Sequence, residues 1–61
     1  MDEDRIEELI ADCLDELDRH THNFSAWEQT FLESIDEQHH ERHLSDAQVT
    51  KLVQIWEDKC V

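Results

Sequence analysis

From Glu3 to Arg19 the apolar residues are Ile6, Leu9, Ile10, Cys13, Leu14 and Leu17. Their intervals alternate between three and one, so the six fall within an arc of about 140° on a helical projection. The spacing predicts an amphipathic helix over 3–19. Asp2, Glu3 and Asp4 stand at its start, where the positive end of the helix dipole stabilises carboxylates. A second start follows at Ser25-Ala26-Trp27-Glu28, the spacing of a capping box: the serine oxygen takes the Glu28 amide and the glutamate reaches back. A helix over 25–38 is expected, with Trp27, Phe31 and Ile35 as its buried stripe, Phe24 ahead of the cap and Leu32 on the flank.

The device repeats at Ser45-Asp46-Ala47-Gln48, where Leu44 and Val49 also occupy the two positions of a hydrophobic staple. Val49, Leu52, Val53, Trp56 and Cys60 make the third stripe of a helix over 45–60, and Ile55 points away from it. The connections, roughly 20–24 and 39–44, are short enough to make successive helices antiparallel neighbours. The expected fold is therefore all-α: a small antiparallel three-helix bundle, up-down-up, forming a single domain over 1–61. Its turns contain no glycine and rely on His, Thr, Asn and Ser.

Composition narrows the function. A chain of 61 residues buries only about 60% of its unfolded surface and has one thin core, with little room for an enclosed catalytic pocket. The absence of Gly and Pro excludes turn-rich β architectures and phosphate-cradling glycine loops. Cys13 and Cys60 are too few for a disulfide framework; they read as one core residue and one near-terminal thiol. Met1-Asp2-Glu3-Asp4 is acidic where a targeting peptide would be basic, and no apolar run approaches membrane-spanning length. A cytoplasmic protein is expected.

Charge changes the picture most. Five basic residues against seventeen acidic ones give a net charge of −12. Phosphate repels such a chain, so nucleic acid and anionic membrane are excluded as direct partners and cationic surfaces are favoured. The acids are concentrated at one end: residues 1–18 hold nine acids and one base. Asp4, Glu7, Glu8, Asp12, Asp15, Glu16 and Asp18 lie opposite the apolar stripe of the first helix, and Glu33, Asp36 and Glu37 on the second could extend the row. At a rise of about 1.5 Å per residue the nine acids span roughly 24 Å, one per roughly 3 Å. A single DNA strand carries one charge per about 3.4 Å. Stability does not ask for this row. Asp4–Glu8, Glu8–Asp12 and Asp12–Glu16 are like-charge i,i+4 pairs, each costing a few tenths of a kcal/mol.

Five histidines raise the question of a metal. His39 and His43 stand four apart, His20 and His22 flank Thr21, and Cys13 or Cys60 could add a soft ligand. The two histidine loops fall at opposite ends of an up-down-up bundle, about 20 Å apart along the axis, which forbids one joint site. His39 and His43 are the residual metal candidates, and no cofactor is expected. No nucleophile, base and orienting group stand out together, since Ser25 and Ser45 are spent as caps, so no enzyme is expected.

Phe31-Leu32-Glu33-Ser34-Ile35 with Gln38, then Leu44-Ser45-Asp46-Ala47-Gln48 leading to Leu52, Ile55-Trp56 and Lys59, resembles the helix-loop-helix tail of small phage and mobile-element proteins. In size and charge the chain is similar to the acidic DNA-mimicking anti-restriction and anti-CRISPR inhibitors of phages. The resemblance implies an inhibitor acting in the bacterial cytoplasm as a monomer or weak dimer. Its partner would be a cationic nucleic-acid-binding complex such as a CRISPR effector, with the carboxylate row standing in for phosphates. Two other readings stand beside it: a helical adaptor pairing through a face around Ile55 and Leu32, and a small metal-binding regulator.

Overall fold

The structure, a computed structural model, describes residues 2–60. It contains α1 (Glu3–Arg19), a single 3-10 turn (Thr21–Asn23), α2 (Ala26–Glu41) and α3 (Asp46–Lys59), and no strand among the described residues. The expected all-α three-helix bundle is the fold found. Each start is capped from its own sequence. Asp2 accepts the Arg5 amide at 2.9 Å, and both capping boxes close in full, Ser25 with Glu28 and Ser45 with Gln48. Each cap satisfies amides that would otherwise lack a partner, for about 1 kcal/mol.

Long-range pairs fix the helix directions. His39 near the end of α2 meets Glu3 and Glu7 at the start of α1, so α1 and α2 are antiparallel. Gln38 and Gln48 exchange reciprocal amide hydrogen bonds of 3.0 Å, and Lys59 reaches Glu28 at 3.9 Å, so α2 and α3 are antiparallel too. The core is Ile6, Leu9, Ile10 and Cys13 of α1, Phe24 of the connection, Leu32 and Ile35 of α2, and Leu52 and Ile55 of α3. Leu14, Leu17, Phe31, Leu44, Val49, Val53, Trp56 and Cys60 pack around it half-buried.

Three features depart from the sequence expectation. The second helix runs to Glu41 rather than to residue 38, and Arg42 closes it by donating its amide to the Gln38 carbonyl at 2.8 Å. His39 and His40 occupy this last turn. Trp27, expected in the core, is 56% exposed, lying flat on Phe31 at 5.1 Å beneath the Lys51 ammonium. Ile55, expected to point away from the core, is only 2% exposed, and Leu32, expected on the flank, is fully buried.

The last two corrections share a cause. The inward seam of α2 runs Glu28, Leu32, Ile35, His39, and two of those four count as polar in a hydrophobic pattern. Their polar ends are used at the rim: Glu28 in its cap and on Lys59, His39 on the α1 carboxylates. On α3 the side facing α2 carries Gln48, Ile55 and Lys59, again apolar only in the middle. A helix touching two neighbours buries a wider arc than a single stripe, and that arc takes in Ile55. An adaptor surface built on Ile55 and Leu32 is therefore not available on this fold.

Candidate protein-binding face

α1 packs its apolar stripe against both other helices, which turns its carboxylate row outward. Asp4, Glu7, Glu8, Asp12, Asp15 and Asp18 are exposed and Glu16 is partly so; on α2, Glu33 and Glu37 are exposed and Asp36 is partly so. The predicted residues thus reach the surface, but they differ in how far they are already engaged. Glu8 pairs with Arg5 at 3.0 Å and Asp15 with Arg19 at 3.4 Å, both in solvent, where such pairs contribute about 0–1 kcal/mol. Asp12 accepts a hydrogen bond from Trp56 Nε1 at 3.2 Å, so it anchors α3 as well as contributing charge. Glu16 lies 3.9 Å from His20, and Asp36 lies 3.8 Å from His40. Asp4, Asp18, Glu33 and Glu37 make no ion pair among the described residues.

The fold also assembles a group that the sequence reading did not. Glu3 and Glu7 of α1 converge on His39, at 3.7 and 3.4 Å from its Nε2, and Glu3 also contacts His43 Nδ1. The sequence paired His39 with His43 by helical spacing, but α2 ends at Glu41 and His43 lies beyond it in the connection. What joins the two imidazoles is the Glu3 carboxylate, a contact spanning forty residues that no local pattern reveals. His39 has a side chain only 11% exposed, and its Nδ1 is buried without a hydrogen-bond partner. When neutral, the ring is best served by keeping its proton on Nε2, which faces the two glutamates. Among the described residues no group of three or more His, Cys, Asp or Glu side chains is arranged to hold a metal ion. His20 and His22 contact one another edge to face at 6.1 Å, at the other end of α1.

The two thiols meet at the α1–α3 seam. Cys13 is fully buried, and Cys60 directs its Sγ at the Asp12 carbonyl at 3.7 Å. Burial first, then the neighbouring Cys60 thiol and the Asp12 carboxylate, push the Cys13 thiol up to about 12. Cys60 is raised as well, chiefly by burial. Neither is an activated nucleophile, because thiolate is the reactive form and both sites disfavour it. No helix of the described residues is long and apolar enough to cross a membrane.

Between α1 and α2 the surface dips into an open groove lined by Leu14, Leu17, Asp18, Thr21, Gln29 and Glu33. A second, more apolar groove lies between α2 and α3 against Trp27, Phe31, Ala47, Gln48 and Lys51. Comparison with protein-family models, with curated proteins and with solved structures finds no match.

Proposed function

We propose that this protein is an acidic DNA mimic, a stoichiometric inhibitor that occupies the Lys/Arg-lined nucleic-acid channel of a bacterial defence complex. The observation that carries the reading is the outward carboxylate row of α1, whose charge per unit length is close to that of one DNA strand. Its resemblance to phage anti-restriction and anti-CRISPR inhibitors points to a phage protein acting in the host cytoplasm, with a CRISPR effector as one target of suitable chemistry. Inhibition is competitive. Carboxylates replace phosphates, the field of the chain steers association, and affinity falls steeply with salt. No catalytic step and no cofactor belong to this mechanism.

The test uses immobilised protein and the nucleic-acid-binding fraction of a bacterial lysate. Proteins retained at about 50 mM salt should be released by duplex DNA and by salt of about 500 mM. The paired variant Glu8→Lys, Asp15→Lys should retain far less. It moves the net charge from −12 to −8, since each reversal changes two charges, and it spares Asp12 and its bond to Trp56. Retention that resists DNA, or that survives the two reversals unchanged, would refute the mimic.

A further inference from the structure

The groove between α1 and α2 has a property beyond its charge: its polar side chains offer acceptors only. The Gln29 amide nitrogen donates to the Phe24 carbonyl at 3.1 Å and to the Thr21 carbonyl at 3.5 Å. Its oxygen therefore accepts from no described residue. The Thr21 hydroxyl has spent its one proton on the Leu17 carbonyl at 2.6 Å, leaving oxygen lone pairs. Asp18 from one wall and Glu33 from the other add two carboxylates with no ion pair among the described residues. Leu14 and Leu17, half-buried, supply apolar surface. A volume of about 320 Å³ is at the small end of ligand sites and, being open, suits a single side chain rather than a cofactor.

Stability offers no reason for this arrangement. Asp18 sits in the last turn of α1, where the dipole disfavours a carboxylate, and it shares the groove with a second negative charge. A ligand with donors and no acceptors, a positive charge and an apolar stem would satisfy every feature at once. Arginine is that side chain: five donors in a planar fork, no acceptor, and a weakly hydrated face that packs on apolar surface. Lysine shares the charge but offers a compact, strongly hydrated ammonium that cannot bridge two walls in one plane.

We infer that this groove is a docking site for an arginine side chain of the partner protein, clamped between Asp18 and Glu33 over Leu14 and Leu17. The inference rests on the proposed cationic partner and supplies its anchor point, where the row's own Asp18 and Glu33 face each other across the groove beyond the ridge of Asp4, Glu8 and Asp15. The ridge attracts; the groove fixes register.

The probe is a blocked Gly-Arg-Gly peptide titrated at low salt into the ¹⁵N-labelled protein, with Gly-Lys-Gly and the neutral isostere Gly-citrulline-Gly alongside. The arginine peptide should shift the Leu17, Asp18, Thr21 and Glu33 amides and the Gln29 side-chain amide, and should bind several-fold tighter than the lysine peptide. Asp18→Asn with Glu33→Gln should weaken it by about tenfold, the scale of losing charge-assisted hydrogen bonds. Glu41→Gln with Glu57→Gln removes the same charge elsewhere and should change it by less than about twofold. Equal binding of the lysine or citrulline peptide, equal loss in both paired variants, or the absence of localised shifts would overturn the arginine site. Those results leave the DNA-release experiment to decide the mimic by itself. Loss of DNA-releasable retention with the groove shifts intact would do the reverse.

Discussion

Replacing Ile55 with alanine tests the packing where sequence pattern and structure disagree most sharply. Ile55 is 2% exposed on the side of α3 that faces α2. Truncating a side chain so buried costs about 2–5 kcal/mol, part lost transfer energy and part the cavity left behind. The whole domain, at about 0.05–0.15 kcal/mol per residue, holds about 3–9 kcal/mol. A loss of about 3 kcal/mol at a urea slope of about 1 kcal/mol/M moves the midpoint down by about 3 M, enough to leave the variant partly unfolded in buffer. Trp27→Ala is the matched control: a larger truncation, but at 56% exposure it forfeits mainly the Phe31 stack and the Lys51 contact, about 1 kcal/mol. Urea titration followed by circular dichroism at 222 nm gives both numbers. If Trp27→Ala proves costlier than Ile55→Ala, the buried seam of α2 and α3 has been misassigned and the stripe read from the sequence is the correct one.

Alkali should erode stability through Cys13. Its thiol is raised from 9.0 to about 12 in the fold, so the contribution is complete below pH about 9 and is lost progressively as pH rises toward about 12, by up to about 4 kcal/mol. Melting temperatures of the wild type and Cys13→Ala, each normalised to pH 7, should diverge above pH 9, with the wild type falling faster; parallel curves would contradict the burial. At pH 8 iodoacetamide should modify Cys60 before Cys13 in the native protein, read by peptide mass spectrometry, and equal labelling would mean that the α1–α3 seam is open. Moderate salt should raise the melting temperature, because screening relieves self-repulsion at −12; a midpoint that falls with added salt would show attractive pairs to dominate.

The helix starts were legible because their signals are local: Ser25 with Glu28 and Ser45 with Gln48 close on themselves in one turn, and the period of α1 needs no partner to be seen. The interior of α2 and α3 was not legible in the same way. Glu28, His39, Gln48 and Lys59 lie on packed faces with only their polar tips at the rim, so a pattern that counts residue types places the stripe too far from them. The outward acids of α1 followed from geometry once the stripe was known. The meeting of Glu3 and Glu7 with His39, and the groove shared by Asp18 and Glu33, depend on how two helices are set side by side, and no spacing within either helix encodes that.

Among the described residues no backbone takes a positive φ, so none of these helices is closed by the left-handed turn that commonly ends one. Side-chain caps mark the start of every α-helix, while the ends are closed more loosely. The Thr21 hydroxyl takes the Leu17 carbonyl after α1, and Arg42 turns extended after α2 with only its amide on the Gln38 carbonyl. The beginnings are therefore fixed in register and the endings are negotiable. Amide exchange should be fastest in the last turn of each helix, and a residue inserted after Glu41 should be absorbed as extra helix or extra loop. The same insertion between Ser45 and Gln48 would break a cap and displace the whole of α3. In a lineage of such proteins, variation in length would accumulate at the helix ends, and the two serines would be the fixed points around which it drifts.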